Sequence, residues 1–243
     1  MNKIINIYQN NNSLLNDAFD KLAAEIYIKK QKEGFVSFEI CGTESGVGST
    51  TTAISVAVSM AKAGWKVLLI DCDLRKKPGE KRLNDEDIQG IADMLEGQID
   101  RKMIICNTNY SNLSFVASGF ATVNAISAMC SVNMKALMEE AKQEFDFVIV
   151  DVPSIASAMD AAVIATITDT VILVTSQEKG HRIKAIEEAE EKLKNVGANI
   201  SGIVVNHVES DEYKRVVKNY DYFKRHKYLR NGKEWAKSAK KGT

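Results

Sequence analysis

Thirteen residues constrain this chain more than any others: Cys41 to Ala53, reading CGTESGVGSTTTA. The apolar run Phe35 to Cys41 predicts a strand that enters this stretch. An apolar-periodic segment leaves it, with Ala53, Val56, Ala57, Met60 and Ala61 on one helical face and Gly64 as a stop. A strand, a glycine-rich turn and a helix make a cradle for phosphate, because the turn's N–H groups and the positive helix end point at one anion. Ser45, Gly46, Val47, Gly48, Ser49, Thr50 and Thr51 are therefore the candidate nucleotide-binding residues. A complete loop of this kind ends Gly-Lys-Ser/Thr. Here it ends Gly48-Ser49-Thr50: the turn and the hydroxyl are present and the lysine is not.

Elsewhere the chain alternates strand and helix patterns. Ser13 is the expected N-cap of a helix whose face carries Leu15, Ala18, Phe19, Leu22 and Ile26, ending between Lys29 and Gly34. Lys66 to Asp71 and Phe145 to Asp151 are apolar runs that end in acid. Buried parallel strands read this way when their carboxyl ends open on a site. Further strands are expected over 103–106, 113–116, 170–175 and 200–205, and a loop over 79–87. Helices are expected over 88–95, over 123–143 in two pieces, over 156–166 and over 212–222. One more runs from Ile183 to Val196, with Ile183, Ile186, Ala189, Leu193 and Val196 inward and Glu187, Glu188, Glu190 and Glu191 in solvent. This alternation predicts an α/β fold: a single P-loop NTPase-like domain, with a mostly parallel β-sheet and helices on both faces. The expected organisation is a weakly ordered N-terminus (1–12), a nucleotide-binding α/β domain (13–210) and a basic, tyrosine-containing tail (211–243).

The 243 residues suffice for one large core. Net charge is zero but unevenly spread. Tyr213 to Thr243 holds eleven Lys/Arg against two acids, a net +9, which leaves −9 on residues 1–212. Such a tail suits an anionic membrane surface or an acidic protein face, or is simply solvated; nucleic acid is not the expected partner. Val216, Val217, Tyr220 and Phe223 interleave with Lys214, Arg215, Lys218 and Lys224, which suits a helix lying on a surface or one docked on the domain. Cys41, Cys72, Cys106 and Cys130 have no metal-type spacing and are expected as reduced core thiols, which fits the cytosol. The first twenty residues carry no signal-peptide pattern. The most apolar stretch, Ala161 to Val174, is broken by Asp169 and too short to span a bilayer. The expected location is cytoplasmic, with any membrane association peripheral at the inner face.

In such a sheet the glycine loop, Asp71/Asp73 and Asp151 converge at the carboxyl ends of parallel strands. A nucleoside triphosphate needs Mg²⁺, which is held by carboxylates, a Ser/Thr hydroxyl and water. Thr50, Asp71 and Asp151 are the candidate metal residues for Mg²⁺-ATP, and Asp71 and Asp73 the candidate catalytic acids. Asp71 has the place to hold the metal or to accept a proton from an attacking hydroxyl. A lone strand-end Asp is more commonly a cap or an ion-pair partner; three in this order favour a nucleotide site.

At these residues the chain resembles the bacterial protein-tyrosine kinases of capsule and exopolysaccharide synthesis, a family similar to the ParA/MinD P-loop ATPases. Val67 to Arg75, reading VLLIDCDLR, resembles the family's Asp-x-Asp Walker motif, and Leu74-Arg75 is more typical of the kinases than of partition ATPases. Gly90 to Gly97 resembles a recurrent family segment. Asp146 to Pro153, with Asp160-Ala161 beyond, resembles the Walker B region, and Ser201 to Asn206 resembles the strand whose Asn lies near the adenine. Tyr213, Tyr220, Tyr222 and Tyr228 form a sparse version of the family's phosphoacceptor cluster. The resemblance implies a Mg-ATP-dependent tyrosine autokinase that works with a membrane-anchored polysaccharide co-polymerase or activator and forms homo-oligomers. The departures are equally specific. Ser49 stands at the loop lysine, and Glu44 stands where ParA/MinD loops carry their extra lysine. The N-terminal Glu-x-x-Arg-x-x-Arg motif reads Asp17, Asp20 and Ala23. Arg75, Lys76 and Lys77 are the candidate replacement cations. Three readings stay open: an active kinase, a weak or inactive nucleotide-binding scaffold, and a positioning ATPase at membrane or DNA.

Overall fold

The computed structural model describes residues 4–8, 11–75, 83, 88–97, 99–119, 124–177, 180 and 182–216. Eight strands form one sheet: β1 (Ile4–Ile5), β2 (Ser37–Gly42), β3 (Val67–Asp71), β4 (Ile105–Thr108), β5 (Leu113–Val116), β6 (Phe147–Val152), β7 (Thr170–Ser176) and β8 (Ile200–Asn206). Their order is β1-β4-β5-β3-β6-β2-β7-β8, and every neighbouring pair is parallel except β4 and β5. The long helices are α1 (Ser13–Glu33), α2 (Ser49–Lys62), α5 (Val132–Glu144) and α7 (Arg182–Asn195). Shorter ones are α3 (Ile91–Leu95), α4 (Ala125–Met129), α6 (Asp160–Ile164) and α8 (Ser210–Val216).

Alternation along the strands sorts the core into two layers. Val67, Leu69, Phe147 and Ile149 pack with Phe19 and Ile26 of α1 and with Val56, Ala57 and Met60 of α2. Leu68, Ile70, Val148 and Val150 face the other way, onto Leu137 and Met138 of α5, Ala161 of α6, and Ala189 and Leu193 of α7. The sheet is thus covered by helices on both faces, which is why its central strands read as unbroken apolar runs. At the amino ends of β2 and β7, away from the loop, Asp169 accepts N–H bonds from Val36 and Ser37 at 2.9 and 2.8 Å and pairs with Lys142 at 3.0 Å. Contacts divide the chain into two units, Met1–Asn206 and His207–Thr243. Of the second, the structure describes 207–216, with α8 in it.

Several local expectations need correction. Residues 1–12 are not uniformly weak in structure: Ile4–Ile5 form β1 on β4, and Ile5 and Ile7 are buried. Asn12, not Ser13, caps α1, its side chain accepting from the N–H groups of Leu14 and Leu15 at 3.0 and 3.4 Å. Arg101–Met103 is a 3₁₀ turn capped by Asp100, so the next strand starts only at Ile105. The helix expected over 156–166 shrinks to α6, because Ser154 and Ser157 pair their hydroxyls at 2.6 Å in a turn before it. Along α7 the buried residues are Ala185, Ala189 and Leu193, while Ile183 is exposed. Cys41, Cys72 and Cys106 are buried thiols, but Cys130 is exposed.

Candidate functional site

The loop leaves β2 at Gly42 and folds back over it. A Cβ on Gly42 would lie 3.0 Å from the Glu44 carbonyl oxygen, 3.0 Å from Val47 Cγ2 and 3.3 Å from Ser49 Oγ, so this position has little room for a side chain. Gly46 and Gly48 have φ of 80° and 88°, the left-handed region that glycine enters without strain. Gly48 is the N-cap of α2, so the positive end of a 14-residue helix lies at the loop. These features fit the phosphates of a nucleotide. What the loop lacks is a cation of its own: Ser49 occupies the lysine's place. Val47 is fully buried and anchors the loop in the core. Its carbonyl accepts a bond from Asn206 Nδ2 at 2.9 Å, so the amide expected beside the base is tied to the loop itself.

The acids come from the two strands on the other side of β2. β6 lies between β2 and β3, and Asp71 and Asp151 are direct cross-strand partners at the strand ends. Asp151 is 5% exposed and Asp73 9%. Asp71 Oδ1 accepts the Asp73 N–H at 3.0 Å, and Asp73 Oδ1 accepts the Arg75 N–H at 3.3 Å. The Cys72 N–H donates to the Asp151 carbonyl at 2.8 Å, which fastens this turn to β6. Among the described residues no group of three or more His, Cys, Asp or Glu side chains converges as a metal cage. A bound Mg²⁺ would therefore draw several of its oxygens from phosphate and water.

Arg75 is not a spare cation. Its Nε and one terminal nitrogen donate to the two oxygens of Asp160 at 2.6 and 2.8 Å. Asp160 is fully buried, and its hydrogen bonds push the Arg75 guanidinium above its ordinary value. Asp160 is the acid that sequence reasoning left without a role. The signal for it is an acid that opens the apolar run Ala161-Ala162-Val163-Ile164 and must be buried with it. Lys76 and Lys77 lie outside the described residues. Beneath the loop, burial pushes the Glu39 carboxyl well above its usual range, and neither of its oxygens has a hydrogen-bond partner among the described residues. Burial, and then Glu39, push the Cys41 thiol up as well, so this cysteine is a packed group and not a nucleophile.

Of the tyrosines, Tyr213 lies in α8 and is half-buried; Tyr220, Tyr222 and Tyr228 lie outside the described residues. Among the described residues no helix is long and apolar enough to cross a membrane.

Residues 39–206 match the AAA domain family. The chain is 33% identical over 192 residues to the tyrosine-protein kinase CpsD of Streptococcus pneumoniae serotype 4, covering 79% of this chain and 83% of the relative. It is 36% identical over 173 residues to the CpsD of Streptococcus agalactiae, covering 70% and 74%. Its fold is similar to that of the chimerical protein CapA2B2, with TM-score 0.76 at 23% identity over 86% of this chain and 96% of that one. It is also similar to that of the septum site-determining protein MinD of Pyrococcus horikoshii OT3, solved with Mg-ADP, with TM-score 0.58 at 21% identity over 74% and 76%.

Proposed function

The chain belongs to the AAA domain family and, within it, to the CpsD-type tyrosine-protein kinases, and from that premise we propose that it is a Mg-ATP-dependent tyrosine autokinase of capsule or exopolysaccharide synthesis. The observation that carries this reading is the pairing of Asp71 with Asp151 across β3 and β6, next to a loop that keeps its glycine geometry. Backbone N–H groups of residues 45–51 hold the phosphates. Thr50, Asp71 and Asp151 would hold Mg²⁺, which would neutralise charge on the phosphates. Asp71 orients an incoming tyrosine hydroxyl and takes its proton as the tyrosine oxygen bonds to the terminal phosphorus and the bond to the departing ADP breaks. Asp73 is the second acid of this group; its hydrogen bond to Arg75 fixes the turn. Residues 211–243 act as the tail that carries the acceptor tyrosines, with Tyr213, Tyr220, Tyr222 and Tyr228 as candidates. The partner is a membrane-anchored co-polymerase, met at the cytoplasmic face of the membrane.

Ser49 supports a second reading, that of a scaffold which binds nucleotide weakly and transfers nothing. Losing one charge-assisted hydrogen bond of about 1.5–3 kcal/mol weakens binding by roughly ten- to a hundred-fold. The transition state suffers more, because charge moves onto the leaving phosphate there. Calorimetry of the full chain with ATP, with and without Mg²⁺, tests the nucleotide site. Micromolar, Mg-dependent binding followed by phosphotyrosine on the tail, in the presence of the membrane partner, is the expected result. Binding without phosphotyrosine favours the scaffold, and no binding at millimolar ATP defeats the kinase reading.

A further inference from the structure

A loop without a lysine needs a positive charge from elsewhere if it is to hold a terminal phosphate. Arg75 is engaged by Asp160. A second place meets the loop directly. A cavity of about 250 Å³ opens beside its incoming limb, lined by Thr43 and Glu44, by Ile155 beyond β6, and by Lys184, Glu188 and Lys192 of α7. Two hydrogen bonds tie its far wall to the loop. The Ile155 N–H donates to the Gly42 carbonyl at 3.0 Å, and Lys192 Nζ donates to the Ile155 carbonyl at 3.3 Å.

The groups in this cavity are not equivalent. Lys184 is paired with Glu188 at 3.6 Å, one helical turn along, and both are exposed. Lys192 makes no ion pair among the described residues; its ammonium rests on one long bond to a neutral carbonyl. The Thr43 hydroxyl, on a residue 2% exposed, has no hydrogen-bond partner among the described residues. A buried hydroxyl without a partner and a weakly held ammonium lining one cavity make an incomplete donor set, and a phosphate oxygen would complete it. An ammonium–phosphate bond is charge-assisted at both ends, so exchange of the Ile155 carbonyl for phosphate is favourable. Glu44 lines the same wall and opposes an arriving anion.

We propose that Lys192 stands in for the missing loop lysine, its ammonium binding a phosphate group at the Thr43–Glu44 limb with the Thr43 hydroxyl as second donor. This rests on the nucleotide reading above and names the residue that would make it workable. Two sources offer the same chemistry: the terminal phosphate of a nucleotide, and free phosphate.

The test is calorimetric binding of Mg-ATP and of inorganic phosphate to the full chain and six variants. Lys192→Met keeps the apolar stem and removes the charge, and is expected to weaken Mg-ATP binding roughly ten- to a hundred-fold. Lys192→Arg should stay close to wild type. Glu44→Gln should tighten binding, and adding Ser49→Lys to Lys192→Met should restore it. Phosphate that displaces Mg-ATP in a Lys192-dependent way identifies the nucleotide as the source. Phosphate that binds through Lys192 without displacing it identifies the free anion. If wild type and Lys192→Met bind Mg-ATP equally, Lys192 has no such role and the nucleotide reading stands. If only chains with Ser49→Lys bind, Lys192 does not substitute and the proposal is overturned. If no chain binds, both readings fall. A loss produced by Lys76→Met or Lys77→Met and not by Lys192→Met also overturns it.

Discussion

Burial disfavours a charged carboxylate, and Glu39 is fully buried in β2, an inner strand of the sheet. Its folded pKa lies above the ordinary 4.5. Its contribution to stability is therefore fully present below the unfolded value and is lost as pH rises toward the folded one. Glu39→Gln should flatten the fall of stability above about pH 4.5, so the variant gains on wild type as pH rises. Urea melts at pH 4 and pH 8 check this, and parallel pH profiles would refute it. Asp71 and Asp151 make a different prediction. Asp71→Asn or Asp151→Asn should reduce the gain in ATP affinity on adding Mg²⁺ by roughly ten-fold, with little change in its absence, as calorimetry can read. The strand-end placement of both acids was legible in sequence, because each closes an apolar run. Lys192 was not, because within Glu190-Glu191-Lys192 it reads as one more charge on a wet helix. Only the cavity it shares with Thr43 and Glu44 sets it apart.

Two ion-paired knots hold the elements in place. The first joins the turn after β3 to α6 through Arg75 and Asp160. Arg75→Met leaves a buried carboxylate unpaired, which costs about 3–5 kcal/mol for a fully enclosed pair. Arg75 is 48% exposed, so screening reduces this to about 1–3 kcal/mol. The double variant Arg75→Met/Asp160→Leu should recover most of the loss in chemical denaturation. The second knot is Asp169. Burial pushes its carboxyl up, but the N–H groups of Ser37 and Val36 and the Lys142 ammonium outweigh that and hold it below the ordinary 3.8. This stability is present above 3.8 and disappears as pH falls through the lower folded value, so Asp169→Asn should flatten the acid limb of the pH–stability curve. Element types were largely legible where period and length agreed, as in α2, β5 and the split pair α4 and α5. They misled where local hydrogen bonds overrode hydrophobicity. Met103-Ile104 looks like the start of a strand, but Asp100 caps a 3₁₀ turn there. Ala156 looks helical, but the paired hydroxyls of Ser154 and Ser157 hold a turn.

The division of contacts at Asn206 predicts that residues 1–206 fold without the rest, with a melting temperature within a few degrees of the full chain. A loss of cooperativity in that shortened chain would show that the tail contributes to the core. The parallel, helix-covered sheet was foreseeable from alternating strands and helices. The strand order was not, since no local pattern states that β6 inserts between β2 and β3. That insertion also sets a timetable. Eighty positions separate Asp71 from Asp151, so a ribosome working at about 5–20 residues per second needs roughly 4–16 s to make the second after the first. During that interval the glycine loop and its first acid have been synthesised, but the strand that belongs between them has not. The edges of β2 and β3 that β6 will cover are bare. The emerging chain thus carries two unpaired inner strand edges, and Asp71 gains its cross-strand partner Asp151 only when a strand arrives from eighty positions further on.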